Sequence, residues 1–175
     1  EGFYRMGDAI APADPSDPDI RLGFMFQGRI NEDFKLSTGT WVRVGSVRAR
    51  LLAALGDIAQ DVAITGHNRD EVGALVFPNA AACREIAGAS STASLADLRQ
   101  NPDVHTAFAE RISRYNHDNP GSSTAIRRVV LLSTPPSIDA MEITDKGSLN
   151  QRAVLTHRAA DVDRLYGTAD DVLLI

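Results

Sequence analysis

Two apolar runs separated by six polar residues constrain the fold of this chain more than any other feature. Residues 58–65 and 72–77 are rich in alternating β-branched and apolar side chains, and residues 66–71 between them read GHNRDE. Polar turn chemistry between two such runs is typical of an antiparallel hairpin. Pro78 follows the second run and is expected to end its strand. The two runs therefore predict one β-hairpin.

Helical periodicity appears on both sides of this hairpin. With Ser46 as a plausible N-cap, apolar residues at helical spacing up to Gly56 predict about three turns of amphipathic helix. Residues 95–100 and 102–115 predict two further helices, and residues 148–166 a last one, whereas residues 80–94 are expected to be a loop or a weak helix. The buried stripe expected on the 102–115 helix consists of Val104, Phe108, Ile112 and Tyr115.

Further short apolar stretches predict the remaining strands. Residues 22–27 and 34–36 flank the polar segment 28–33 and are expected to pair as a small hairpin, and residues 126–132 are expected to form an inner strand. Residues 11–19, rich in Pro and Asp, predict an exposed turn or linker. The order of elements implies a small mixed sheet covered by helices, and hence an α+β fold or a compact α/β sandwich.

Composition and charge exclude several classes of protein. The chain has 175 residues, enough for one well-packed domain, and no window approaches the roughly 20 apolar residues of a membrane span. A net charge of -5 with scattered basic residues disfavours nucleic-acid binding. The single cysteine, Cys83, cannot form an internal disulfide and is expected to be a half-buried filler, which fits a soluble protein of the reducing cytoplasm.

Complete catalytic motifs are missing from the sequence. It contains neither a Walker-type phosphate loop nor the spaced glycines of a dinucleotide-binding turn, and no serine lies in a nucleophile elbow. His67, His105, His117 and His157 lack the spacing of metal ligands, so no metal site is predicted.

Two cations could carry chemistry. Lys146 lies in a polar loop, residues 143–148, where its long stem could bring a positive charge to a neighbouring anionic site. Arg29 follows Gly28 at a predicted strand end, where a guanidinium could bind phosphate or ribose oxygens. Taken singly, Lys146 is better explained as a solvated surface lysine, since most lysines are, and the alternative for Arg29 is an ordinary surface salt bridge.

The order of these motifs resembles the carboxyl-terminal end of the adenylate-forming acyl-CoA synthetases, the AMP-binding superfamily. The motifs are YRMGD at residues 4–8, GRINEDFKL at 28–36 and the late Lys146 loop. Within that superfamily, EDFKLSTGTWV at residues 32–42 and TDKGSLNQR at 144–152 are most similar to feruloyl-CoA synthetases and related aryl-CoA ligases. The resemblance spans nearly the whole chain.

The resemblance implies a role for each matching residue. In this family Asp8 would bind the ribose hydroxyls of ATP, Arg29 would contact the nucleotide and Asn31 would fall at the hinge of a mobile lid. Lys146 would approach the carboxylate and the α-phosphate during adenylation. The face around Gly39 and Trp41 would then form the pantetheine tunnel for thioester formation after the lid rotates.

The same resemblance implies how the chain is organised and with what it works. Residues 1–29 would be the residual end of an amino-terminal adenylation domain with its linker, and residues 30–175 the lid. The partners implied are that domain in cis and a small carboxylic acid, with ATP, its Mg²⁺ and CoA as co-substrates of the full-length enzyme. Because the phosphate loop and acyl pocket of the family lie upstream, and the sequence begins at Glu1 without an initiator Met, we expect an inactive fragment that carries no bound cofactor.

Two alternatives to this interpretation stay open at the level of sequence. The acyl group could pass to a carrier-protein thiol instead of CoA, and Arg43, Arg48 and Arg50 could serve the phosphates of either acceptor. The chain could also be a free-standing α+β binding module whose Arg29 and Lys146 are surface cations. The adenylation motif at residues 4–8 favours the first interpretation, since a free-standing module does not explain it.

Overall fold

A computed structural model describes residues 7–175, with the backbone alone at Gln27. Residues 4–6 of the first motif therefore lie outside the described residues. The strands are β1 (Asp8–Pro12), β2 (Phe24–Arg29), β3 (Phe34–Lys35), β4 (Trp41–Val42), β5 (Ala59–Thr65), β6 (Val72–Pro78), β7 (Ile126–Leu131) and β8 (Val172–Leu174). The α-helices are α1 (Val44–Leu55), α2 (Ala80–Ile86), α3 (Leu95–Leu98), α4 (Pro102–Asp118), α5 (Gln151–His157) and α6 (Ala159–Leu165).

A four-stranded mixed sheet in the order β5-β6-β7-β8 forms the centre of the fold. The predicted hairpin of β5 and β6 is confirmed as antiparallel, and Pro78 ends β6 as expected. β7 pairs parallel with β6 and antiparallel with β8, so it is an inner strand, as predicted. The short strand β8 is not anticipated by the sequence analysis.

Helices cover both faces of this sheet. Val72, Ala74 and Val76 of β6 join the core formed with α1 and α4, and the predicted stripe of α4 is buried there. Leu75 and Phe77 point to the opposite face, where they pack with Val154 of α5 and Leu165 of α6. Because all of β6 is buried, its sequence is apolar on both faces.

The predicted hairpin between residues 22–27 and 34–36 is wrong. β2 pairs antiparallel with β1, and β3 pairs with β4, so each half of the predicted hairpin has a different partner. A 3-10 turn, Ile30–Glu32, separates β2 from β3 and redirects the chain. β1 also includes Ala11 and Pro12, two residues assigned above to the exposed turn; Pro12 ends the strand, a position that an edge strand tolerates.

The structure corrects two of the helix predictions and decides between the loop and the weak helix left open for residues 80–94. α1 begins at Val44 rather than after Ser46, because the Val44 N–H donates to the Asp33 carboxylate at 2.9 Å. Residues 80–86 form a regular helix, α2, whose first turn is capped by Asn79. The last predicted helix is interrupted at Arg158, which leaves helical backbone geometry and separates α5 from α6.

The predicted α+β class, with a small mixed sheet flanked by helices, is confirmed. A β-hairpin precedes the sheet, as that class expects, but it is formed by β1 and β2 and not by the predicted segments. Gly28 of β2 is buried against the first turn of α1, where a Cβ added to Gly28 would lie 2.7 Å from the Gly45 Cα. This contact places the hairpin beside the start of the central domain.

Candidate functional site

Lys146 lies at the exposed tip of a closed loop between β7 and α5. The Thr144 N–H donates to the Ser148 carbonyl at 2.8 Å, and the two hydroxyls of these residues are also 2.8 Å apart. Gly147 adopts φ +78°, which favours glycine at the turn. The loop therefore presents the ammonium group to solvent on a narrow, hydrogen-bonded stem.

The base of this loop is fixed by buried groups. The Asn150 N–H donates to the Glu142 carbonyl at 2.8 Å, which closes the loop just outside residues 143–149. Leu149 packs into the core with α5 and α6. The Glu142 side chain is 2% exposed and pairs with Arg158.

Arg29 and Asn31 line a cleft of about 590 Å³ between the 3-10 turn and the start of α5. Glu32, His67 and Arg152 also contribute to its wall. Burial raises the pKa of the Glu32 carboxyl, although the nearby Arg29 guanidinium, 4.0 Å away, opposes the shift. The cleft thus combines cationic and acidic groups beside the predicted hinge.

Asp8 and Arg29 face each other across the β1–β2 pair. Both side chains are exposed, and the Ile30 N–H donates to the Gly7 carbonyl at 2.9 Å next to them. The two residues predicted to bind the nucleotide therefore lie side by side at the end of the hairpin.

Gly39 lies in a second exposed turn, between β3 and β4, and Trp41 is the first residue of β4 directly after that turn. Gly39 has φ +83°, and a Cβ added there would meet no atom within 4 Å. Trp41 is 54% exposed, with the Lys35 ammonium 5.1 Å from its ring centroid. The space beside Gly39 is therefore open within the described part of the chain.

The β3–β4 turn is docked on the β5–β6 connection. The Ser37 N–H donates to the Arg69 carbonyl at 2.9 Å, and the Ser37 hydroxyl donates to Asp70. The Asn68 N–H donates to the Lys35 carbonyl at 3.0 Å. These bonds orient the turn that carries Gly39.

The three arginines considered for acceptor phosphates all have protein partners. Arg43 pairs with Asp33 at 3.0 Å, and Arg48 binds both carboxylate oxygens of Asp61 at 2.7 Å. Arg50 donates to the Asn119 side chain at 2.9 Å. Arg43 and Arg50 remain exposed, whereas Arg48 is half-buried in its ion pair.

The predicted site residues thus occupy three places. Arg29 and Asn31 share the cleft with α5, and Asp8 lies beside Arg29 on the hairpin. Gly39 and Trp41 lie on the β3–β4 turn, and Lys146 lies on its own loop, so none of these three lines the cleft.

The segments that carry the predicted site residues are held in position by contacts of other residues, which the sequence analysis did not predict. Asp33 caps α1 and pairs with Arg43, Gln151 bonds the backbone of Ile64, and Glu142 pairs with Arg158. An Asp eleven residues before a helix start, or a Glu and an Arg sixteen residues apart, gives no local signal because the contacts depend on tertiary structure.

Metal clusters and membrane-spanning helices are absent from residues 7–175. Between residues 7 and 175, no group of three His, Cys, Asp or Glu side chains is arranged to hold a metal ion. Among the helices of that same part of the chain, none has the length and apolar character needed to cross a membrane. Cys83, expected to be half-buried, is fully buried, and its Sγ lies 3.8 Å from the Ile58 carbonyl.

The family profile of the AMP-binding enzyme C-terminal domain matches residues 34–170. The match includes the β3–β4 turn, strands β5, β6 and β7 of the central sheet and the Lys146 loop. The chain belongs to this family.

Several solved structures share the fold of this chain. The A-PCP didomain of a carboxylic acid reductase from Segniliparus rugosus, in complex with AMP, is 19% identical with a TM-score of 0.69, over 95% of this chain and 21% of that chain. The adenylation domain of the carboxylate reductase from Mycobacterium chelonae is 17% identical with a TM-score of 0.69, over 94% of this chain and 23% of that chain. Coronafacic acid ligase from Pectobacterium brasiliense is 14% identical with a TM-score of 0.50, over 97% of this chain and 25% of that chain.

These likenesses show the fold of the domain. The chain spans about a fifth to a quarter of the length of the structures that it matches. No curated protein sequence matched the chain. The AMP-binding enzyme C-terminal domain is thus one part of much longer adenylate-forming proteins among its structural neighbours.

Proposed function

We propose that this chain is the mobile lid of an ATP-dependent, AMP-forming carboxylate–CoA ligase. The observation that carries the proposal is the position of Lys146 at the exposed tip of a fixed loop, inside the region that matches the AMP-binding enzyme C-terminal domain. A cation held on a short stem can be delivered to an anionic site on another domain without rearranging its own fold.

The proposed reaction has two steps that use different faces of the lid. First, a carboxylate oxygen attacks the α-phosphorus of ATP, forming the acyl-adenylate and releasing pyrophosphate. Lys146 approaches the carboxylate and the α-phosphate and stabilises the negative charge that develops on the phosphoryl oxygens as pyrophosphate leaves. Removing one such contact commonly costs about 100-fold or more in rate. A thiol then attacks the acyl carbonyl, forming the thioester and releasing AMP.

The remaining residues take roles that follow from their positions. Asp8 and Arg29, adjacent on the hairpin, bind the ribose and the nucleotide, and Asn31 in the following 3-10 turn is the hinge. Gly39 and Trp41, on a separate exposed turn, contact the pantetheine arm after rotation of the lid. Lys146 and Gly39 lie on two different connections of the fold, which supports a mechanism in which the lid uses them in separate steps.

The domain boundary is part of the same proposal. Residues 1–29 end an amino-terminal adenylation domain, and residues 30–175 form the lid, which acts with that domain in cis in the cytoplasm. ATP enters with Mg²⁺, for which residues 7–175 offer no ligand cluster of their own. Because the chain is a small part of its structural neighbours, activity is assigned to the full-length enzyme and not to these residues alone.

The acid substrate is proposed from the resemblance of residues 32–42 and 144–152 to aryl-CoA ligases, which favours an aromatic acid such as ferulate. A panel of aromatic and aliphatic acids offered to the full-length enzyme with ATP and CoA tests this assignment. Higher kcat/KM for aliphatic acids would overturn it without affecting the adenylation chemistry.

One observation favours a second acceptor. A structural neighbour is an A-PCP didomain of a carboxylic acid reductase, so the thiol could belong to a carrier protein instead of CoA. Acyl transfer from the preformed adenylate to free CoA and to a pantetheine-loaded carrier protein should be compared directly. Transfer to the carrier alone would replace CoA ligase by carrier acylation.

Separate half-reactions test the role of Lys146. In the full-length enzyme, Lys146→Ala should slow acyl-adenylate formation by about 100-fold or more while leaving thioester formation from preformed adenylate within about threefold of wild type. Arg114→Ala is a matched control, since it removes an exposed cation on α4. Equal losses in both half-reactions would contradict the proposed role.

A further inference from the structure

The loop that carries Lys146 is tied to the domain through one buried ion pair. Arg158 donates two hydrogen bonds to Glu142, from Nε to Oε1 at 2.9 Å and from Nη2 to Oε2 at 2.8 Å. The side chains of Glu142 and Arg158 are 2% and 11% exposed. A bidentate pair of this kind fixes the direction of both side chains.

Arg158 also donates hydrogen bonds to the segment that follows β7 and precedes the loop. Its Nη1 donates to the Thr134 hydroxyl at 2.8 Å, and its Nη2 donates to the Pro135 carbonyl at 2.9 Å. The guanidinium carbon lies 4.9 Å from the centroid of the Phe77 ring, on β6 of the central sheet. Arg158 is therefore held both by the residues that follow β7 and by an aromatic side chain of the central sheet.

Glu142 connects this anchor to the segment before the loop and to the end of the loop. Its Oε2 accepts from the Ser137 N–H at 2.8 Å, and its backbone carbonyl accepts from the Asn150 N–H at 2.8 Å. Asn150 in turn caps the first turn of α5, through Ala153 N–H at 3.2 Å. The orientation of the segment from Ile143 to Leu149 thus depends on where Glu142 lies.

Glu142 is ionised in this arrangement. Burial opposes the charged form, but the hydrogen bonds from Arg158 and the Ser137 N–H, with the positive charge of Arg158, outweigh it and hold the pKa of Glu142 below its usual value. At neutral pH the anchor is a charge pair, and losing one member leaves the other charge buried.

We infer that Glu142 and Arg158 are positioning residues for adenylation, because they orient the loop that brings Lys146 to the reacting phosphate. The inference rests on the proposed function. Neither side chain is at the exposed tip, so both act through the geometry of Lys146 rather than by contact with substrate. A displacement of about 1 Å at a reacting group is enough to cost up to about 100-fold in rate.

The test is a double-mutant cycle in the full-length enzyme, with the two half-reactions measured separately. Glu142→Gln, which keeps the shape and removes the charge, should lower kcat for adenylation by about 10- to 100-fold with little change in the KM for the acid. Thioester formation from preformed adenylate should stay within about threefold of wild type. In the Lys146→Ala background, Glu142→Gln should cause no further loss of adenylation, because the residue through which it acts is gone.

A second variant, Arg158→Lys, keeps the test decisive if Glu142→Gln folds poorly. Arg158→Lys retains the charge but loses the bidentate geometry, and it should lower the rate of adenylation by a smaller factor while leaving thioester formation unchanged. Asp57→Asn is the matched control, because it removes the acidic partner of Arg111 at an exposed pair away from the loop, and it should leave both half-reactions unchanged.

The outcomes separate this inference from the proposed function. If Lys146→Ala leaves adenylation intact, the proposed function fails. If Lys146→Ala abolishes adenylation but Glu142→Gln and Arg158→Lys do not slow it, the positioning role alone is overturned. Equal loss of both half-reactions, or a further loss in the Lys146→Ala background, would show a general structural effect and would also overturn it.

Discussion

The side chain of Gln151 pairs with the backbone of Ile64 as a neighbouring strand would. The Ile64 N–H donates to Gln151 Oε1 at 3.1 Å, and Gln151 Nε2 donates back to the Ile64 carbonyl. Ile64 lies on β5, an edge strand of the central sheet, and Gln151 is the first residue of α5. One amide therefore satisfies both polar groups of a buried edge residue and attaches the helix that follows the Lys146 loop.

Gln151→Ala should destabilise the domain by about 2–3 kcal/mol, because it leaves a buried N–H and a buried carbonyl without partners. Urea unfolding monitored by circular dichroism measures the change. Gln60→Ala is the control, since Gln60 is exposed on the same strand, and it should change the unfolding free energy by less than about 0.5 kcal/mol. Equal effects of the two substitutions would contradict a structural role for the Gln151 amide.

Lys146→Ala should leave the stability of the domain unchanged within about 0.5 kcal/mol, because the side chain is exposed at a loop tip. Leu149→Ala, three residues away, should cost about 2–5 kcal/mol since Leu149 packs into the core. Thermal unfolding of the two variants makes the comparison. A large loss for Lys146→Ala would show that this lysine supports the fold.

Asp33→Ala should destabilise α1 by about 1 kcal/mol, because the Val44 N–H loses its acceptor. Ser46→Ala, at the N-cap predicted from the sequence, should cost only a few tenths of a kcal/mol. Chemical denaturation of both variants distinguishes the two capping schemes. A larger effect of Ser46→Ala would restore the sequence-based prediction.

Cys83 should react slowly with thiol reagents in the folded domain and at the ordinary rate after unfolding, because the residue is buried and burial raises the pKa of its thiol to about 11. The folded pKa lies above the unfolded value of 9.0, so the unfolded state releases its proton first. The unfolding free energy should then fall by at most about 1.4 kcal/mol per pH unit between roughly pH 9 and 11.

The Cys83→Ala variant isolates this contribution. Tyr115 and Tyr166, whose pKa values burial also raises, add their own loss of stability at high pH in both proteins. The difference between the two pH profiles, measured by denaturation at fixed pH values, should therefore contain the thiol alone. Parallel profiles through pH 9–11 would contradict the assigned shift.

Gly28→Ala should loosen the β1–β2 hairpin from α1. Gly28 has φ +123°, and the added Cβ would lie 2.7 Å from the Gly45 Cα, which together cost about 1–3 kcal/mol. Gly23→Ala in the same hairpin meets no atom within 4 Å and should cost only about 1 kcal/mol from its own positive φ. The rate of limited proteolysis within residues 8–29 is measured for both variants. Equal cleavage rates would argue against the close contact between Gly28 and Gly45.

The parts of the fold that sequence predicted are those with strong local signals. The β5–β6 hairpin has turn residues between two apolar runs, and the stripe of α4 repeats at helical spacing. The pairing of β2 with β1 was missed, because the Pro- and Asp-rich residues after β1 resemble a linker. The short β8 was missed since three residues carry too little pattern.

The residues of the candidate site also fall into two groups, those with a local sequence signal and those without one. Lys146, Arg29 and Gly39 were predicted as site residues because they belong to short contiguous motifs, and all three lie on exposed turns or strand ends. Glu142, Arg158 and Gln151 were not predicted, because their contacts span 16 or 87 residues of chain. Residues in contiguous motifs can thus be proposed from sequence, whereas residues whose contacts span the chain become apparent only in the fold.

The parallel pairing of β6 with β7 has a consequence for how the protein is made. Three helices separate the two strands in sequence, so β6 leaves the ribosome a few seconds before its neighbour at about 5–20 residues per second. During that interval the uncharged strand VGALVFP has one edge without a partner, which is a template for aggregation. The yield of folded protein is therefore expected to respond to temperature and chaperone supply during synthesis more than to substitutions that stabilise the finished domain.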